Sequence, residues 1–124
     1  MNTASATAQL VTAIPIEATW TRVCAIEDIL PGTGVCALVR GQQIAVIRPG
    51  TDERIFALSN YDPFSKAFVL SRGIVGDKGG VAKIASPIYK QSFELSTGQC
   101  LDDPSVCIPS YEARVIDGQV ELFA

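Results

Sequence analysis

The sequence predicts an all-β fold, an antiparallel sandwich of short strands with two long loops and little helix. Three observations carry that reading. Short apolar runs, several of them alternating with polar residues, recur along the chain. Gly, Pro, Asn and Asp punctuate them at short intervals. Near the end an Asp-Gly pair sits inside an alternating stretch, the strongest local signal for a two-residue hairpin.

The first element is TWTRVCAI, from Trp20, which alternates as a half-buried strand does. IEDILPGTG then breaks the pattern at Pro31 and Gly32 and leaves room for about one helical turn. In such a connector Glu27 and Asp28 are expected to be solvated charges. GVCALVR and QQIAVIR are two strands separated by a turn at Arg40 and Gly41, and RIFALSN is a third after the PGTDE turn. Residues 60–80 read as a long loop region. VAKIAS and QSFELS follow, split by the SPIYK loop, and YEARVIDGQVELF closes the chain as a hairpin turning on Asp117 and Gly118. No internal repeat stands out.

A length of 124 residues fits a single domain, and a 48% hydrophobic composition is enough for a core. Residues 1–18, rich in Ala and Thr, read as a flexible tail ahead of one β domain over residues 19–124. The tail has no basic start and no long apolar centre, so it does not fit a secretory signal. No apolar run is long enough to span a membrane as a helix. A cytoplasmic location is the expectation. The formal net charge of −3 argues against nucleic acid, which needs a concentrated cationic surface.

Histidine is absent. The usual general base, the activating partner of a Ser or Cys nucleophile and the commonest transition-metal ligand are therefore missing. Without such a partner Ser86 is a poor candidate nucleophile. The four cysteines form no Cys-x-x-Cys pair. Cys24 and Cys36, inside apolar runs, are expected to be small buried hydrophobes, and Cys100 and Cys107, around the LDDPSV turn, to be free thiols in a reducing compartment. Asp102 and Asp103 precede Pro104 and fall short of a calcium ligand set, so they read as a solvated turn.

The two loops carry the most specific pattern. In NYDPF followed by LSRG, Asn60, Leu70, Ser71 and Gly73 match the first-loop frame N-x-C-x-H…L-S-x-G of Rieske iron–sulfur domains. In SPIYKQSFELSTG, Pro87, Phe93, Leu95, Thr97 and Gly98 match the second-loop frame C-P-x-H-G…F-x-L-x-T-G. The ligand positions are replaced. Asp62 and Ser86 stand where the cysteines would be, and Phe64 and Tyr89 stand where the histidines would be. A Rieske cluster takes two thiolates on one iron and two imidazoles on the other, so these four residues cannot hold it. Phe64 and Tyr89 are expected to fill the vacated volume and hold the loops together by packing.

With the segments DILPGTGVCALV, SNYDPF, VLSRGIV, ASPIYKQSFELSTG and YEARVIDGQVEL, the chain from about Trp20 onward resembles the small subunit of NAD(P)H-dependent nitrite reductase. The resemblance implies a Rieske-like β-sandwich without its cluster and no cofactor in this chain. It also implies a large-subunit partner carrying FAD, iron–sulfur and sirohaem groups, in a complex that reduces nitrite to ammonium. In cluster-bearing relatives the loop tips face the redox partner, which makes Lys66, Tyr89 and Lys90 candidates for the partner interface. The alternative is a small β interaction module unrelated to redox chemistry.

Overall fold

A computed structural model of the chain describes residues 18–124; the expected tail lies almost entirely outside the described residues. Among the described residues the fold is built from a six-stranded, a three-stranded and a two-stranded sheet, with every pairing between strands antiparallel. The six-stranded sheet contains β1 (Trp20–Ala25), β2 (Thr33–Val39), β3 (Gln42–Arg48), β4 (Phe56–Ser59), β10 (Ser110–Ile116) and β11 (Gln119–Phe123), in the order β1-β11-β10-β4-β3-β2. The three-stranded sheet has the order β9-β8-β7, from β7 (Ile74–Lys78), β8 (Val81–Ala85) and β9 (Ser92–Glu94). A small hairpin, β5 (Tyr61–Asp62) with β6 (Ala67–Phe68), lies within the first loop. Helix among the described residues amounts to two 3-10 turns, Ile26–Asp28 and Leu70–Arg72.

The turns fall where their chemistry demands. Asp117 and Gly118 both adopt left-handed φ, 50° and 77°, as do Arg40 and Gly41 at 52° and 78°. Positive φ at both central residues is the signature of the hairpin turn whose twist matches its strands. The 3-10 turn at Ile26–Asp28 is the single turn expected before Pro31, and Glu27 and Asp28 are exposed on it.

Two hydrophobic cores share strand β3. Its run Ile44–Ile47 is fully buried, and alternate side chains point to opposite faces. Ile44 and Val46 join Ile26, Ile29, Val39, Val120 and Leu122 in one core. Ala45 and Ile47 join Leu58, Leu70, Ile84, Phe93, Leu95 and Ile108 in the other, which ties the large sheet to the small one. Burying each such aliphatic side chain stabilises the fold by about 1.5–3 kcal/mol.

Three expectations are corrected here. Residues 60–80 are not a continuous loop: they contain β5, β6, a 3-10 turn and all of β7. β7 pairs with β8 in register from Ile74↔Ala85 to Lys78↔Val81, but its outer position and its Gly, Asp and Lys leave no apolar pattern. Cys36 is exposed rather than buried, because alternation along β2 turns it outward, and Cys24 is only half-buried beside the first core. Cys100 is buried and Cys107 half-buried, and all four thiols are free.

Candidate functional site

Topology brings the two loops to one place. Ile74 at the start of β7 pairs with Ala85 at the end of β8, which pairs with Ser92 at the start of β9. The first loop, residues 60–73, therefore ends where the second, residues 86–91, begins and returns. Gly73 marks the contact: a Cβ there would run into the Ala85 carbonyl oxygen and lie 2.7 Å from Ile84 Cγ1.

The first loop is closed on itself by Asn60, which is 2% exposed. Its amide N–H donates to the Gln43 carbonyl at 3.0 Å, and its own carbonyl accepts from the Leu70 N–H at 3.1 Å. Its side-chain Oδ1 accepts from the Ser71 N–H at 2.6 Å, and Nδ2 donates to Gln43 Oε1 at 3.1 Å. A buried amide satisfied on this many sides costs little to bury and fixes both ends of the loop.

Asp62 is completely buried, as is Ser86. Ser86 Oγ donates to Asp62 Oδ2 at 2.5 Å, so a hydrogen bond joins the two loops. Asp62 also accepts from Ser65 Oγ at 2.7 Å and from the Phe64 N–H at 2.9 Å. Burial alone would push this carboxyl up; the donors from Ser86, Ser65 and the Phe64 and Ser65 amides outweigh it and hold the group below the ordinary aspartate value. Bonds to an ionised acceptor are the strong class, which is how a buried charge is tolerated here.

The aromatic pair divides. Phe64 is half-buried and packs on the second core, its ring 6.2 Å from that of fully buried Phe93. Tyr89 is 61% exposed and fills nothing. The expected refill of the ligand volume by both rings is thus corrected: one ring packs, and a polar contact between Asp62 and Ser86 links the loops. Lys66 and Lys90 are exposed at the two tips, with Ile88 and Tyr89 beside Lys90.

The residues do not fit a two-iron cluster. Asp62, Ser86, Phe64 and Tyr89 offer a carboxylate and a hydroxyl already bonded to each other, a half-buried phenyl ring and a solvent-facing phenol. No thiolate or imidazole is offered, and iron would have to displace an internal hydrogen bond. Among the described residues no group of three or more His, Cys, Asp or Glu is placed to hold a metal. Asp103 accepts from the N–H and Oγ of Ser105, at 3.1 and 2.6 Å, as a turn residue does.

Asp62 falls at the end of β5 and Ser86 just after β8; their contact, and a local repeat that accompanies it, go beyond the expectations drawn from the sequence. Asp62-Pro-Phe-Ser-Lys66 and Ser86-Pro-Ile-Tyr-Lys90 share Pro at the second place and Lys at the fifth. That spacing was legible in the sequence.

Residues 19–123 match the family described as Rieske-like [2Fe-2S] domain. The chain is 50% identical over 103 residues to the nitrite reductase (NADH) small subunit of Salmonella typhimurium, covering 83% of this chain and 95% of that one. It superimposes on the solution structure of the E. coli protein NirD with a TM-score of 0.81 at 47% identity, covering 86% of this chain and 97% of the other. It is also 36% identical over 101 residues to part of the nitrite reductase [NAD(P)H] large subunit of Klebsiella oxytoca, covering 82% of this chain and 10% of that one. The chain therefore belongs to the Rieske-like domain family and, within it, to the small subunits of NADH nitrite reductase.

Proposed function

We propose that this chain is the small subunit of an NADH-dependent nitrite reductase, the oxidoreductase that reduces nitrite to ammonium. It contributes no cofactor of its own and works beside a large subunit carrying FAD, iron–sulfur and sirohaem groups. The observation that carries this reading is half-identity along nearly the full length of a nitrite reductase small subunit. The Klebsiella large subunit supports the choice of partner, because it contains a segment similar to this domain within one polypeptide. Two units found on one chain in one organism are natural partners when they are separate chains in another. A cytoplasmic location, where NADH is held, suits this role.

The loop end is the proposed contact surface, with Tyr89 as an aromatic anchor and Lys66 and Lys90 as cationic rim. The exposed Ile88 and Tyr89 give it an apolar centre. Reconstitution tests the function: the large subunit, with and without this chain, is assayed for NADH-dependent nitrite consumption. Activity is expected to require or rise with the chain, and the chain to co-purify with the large subunit. Full activity of the large subunit alone with no co-purification would overturn the proposal. Protein produced with ample iron and sulfide is expected to be colourless; stoichiometric iron with cluster absorption would contradict the donor-set argument.

A further inference from the structure

The two loop tips are built as matching turns. In the first, the Phe64 N–H donates to Asp62 Oδ1 at 2.9 Å and the Lys66 N–H to the Asp62 carbonyl at 2.7 Å. In the second, the Ile88 N–H donates to Ser86 Oγ at 3.3 Å and the Lys90 N–H to the Ser86 carbonyl at 3.1 Å. Each turn ends on a lysine with left-handed φ, 59° for Lys66 and 65° for Lys90. Glycine adopts that conformation freely, whereas a side chain there is uncommon and strained. Both turns nevertheless spend it on a cation. The only carboxylate in either turn is Asp62, which points inward and is consumed by hydrogen bonds. The two turns together therefore show solvent two positive charges and no negative one, in a chain whose net charge is −3.

We infer that the twin turns form one docking element for an acidic surface of the large subunit, with Lys66 and Lys90 held at a fixed separation by the Ser86–Asp62 hydrogen bond between the turns. The inference rests on the reading of the loop end as the contact surface. Asp62 and Ser86 are positioning residues: they touch no partner, but each anchors one turn through its backbone carbonyl and side chain, and their mutual bond makes the turns open together. A preformed pair of cations avoids the ordering cost that two independent mobile loops would meet on binding.

The test uses the full chain and the intact large subunit. Ser86→Ala removes the link while leaving both lysines in place. It is expected to weaken association about tenfold with the salt dependence retained, since the charges remain while their preorganisation is lost. Hydrogen exchange is expected to quicken in residues 62–66 as well as in 86–90. Lys66→Glu with Lys90→Glu is expected to weaken association and flatten its salt dependence. If that double variant binds normally, the loop end is not the contact surface and the inference falls with it. If it binds poorly while Ser86→Ala binds as tightly as the wild type, the contact surface stands and the link is overturned. Should Ser86→Ala fold poorly, the wild-type chain decides: the Lys66 and Lys90 amides are expected to exchange through a common opening with equal protection, and clearly unequal protection would overturn the coupling.

Discussion

At position 62 a fully buried carboxylate stands among hydrogen-bond donors that convert its charge into a fastener between the two loops. Four donors converge on it, so its folded-state affinity for a proton is below that of the unfolded chain. A group depressed in this way contributes stability that is fully present above its unfolded value, near 3.8, and is lost as pH falls through its lower folded value. The wild-type chain is therefore expected to lose stability steeply below about pH 4, with Asp62→Asn flattening that limb and costing about 1–3 kcal/mol at neutral pH. Asp103, depressed by its bonds to Ser105, will leave some residual slope. Denaturant midpoints across pH 3–7 check this; an identical acid limb in the variant would sink it. The aromatic positions separate just as cleanly. Phe64→Ala removes a half-buried ring from Phe93 and is expected to cost about 2 kcal/mol, below the 3–5 of a fully buried Phe. Tyr89→Ala, at an exposed site, should stay within about 0.5 kcal/mol. Equal losses from the two changes would show that Tyr89 packs after all.

At the scale of elements, legibility followed how local the determining chemistry is. The β10–β11 hairpin was readable because Asp117 and Gly118 carry the turn and YEARVI and QVELF carry the alternation. The strands β2, β3 and β4 were readable from their apolar runs. β7 was not, because an outer strand of Ile-Val-Gly-Asp-Lys is specified by pairing to β8 rather than by its own pattern. The Asp62–Ser86 bond was invisible for the same reason, since it spans 24 residues and exists only because β7, β8 and β9 bring two loops to one sheet end. Gly73 is the joint of that arrangement. Its φ of −73° is ordinary, so its requirement is space against the Ala85 carbonyl and the Ile84 side chain. Gly73→Ala is expected to cost about 1–3 kcal/mol by forcing the loop off the sheet. Thermal melts test it, and a neutral change would mean that the loop shifts without penalty. Gly98 differs, being held by both a left-handed φ of 81° and a carbonyl, that of Ile108, in the way of any Cβ.

Across the whole molecule, charge is segregated along the chain. Residues 60–92 carry five cationic and two anionic side chains, one of the latter buried, while the remainder carries five cations and eleven anions. The fold gathers most of the first group into the small sheet and the two loops, and most of the second into the large sheet and its connections. A molecule polarised in this way is turned by an acidic partner before contact, so its effect falls on the association rate and weakens with ionic strength. The association rate with the large subunit is therefore expected to fall as salt rises across roughly 0.05–0.5 M, as the screening length shrinks from about 14 Å to about 4 Å. Lys66→Glu with Lys90→Glu should lower that rate further at low salt while leaving the isolated domain within about 0.5 kcal/mol of the wild type, as exposed substitutions do. Glu112→Lys, at an exposed position on β10 of the large sheet, is the matching control and should not slow association. A rate indifferent to salt, or one slowed as much by Glu112→Lys as by the lysine reversals, would place the contact on the large sheet instead of the loop end.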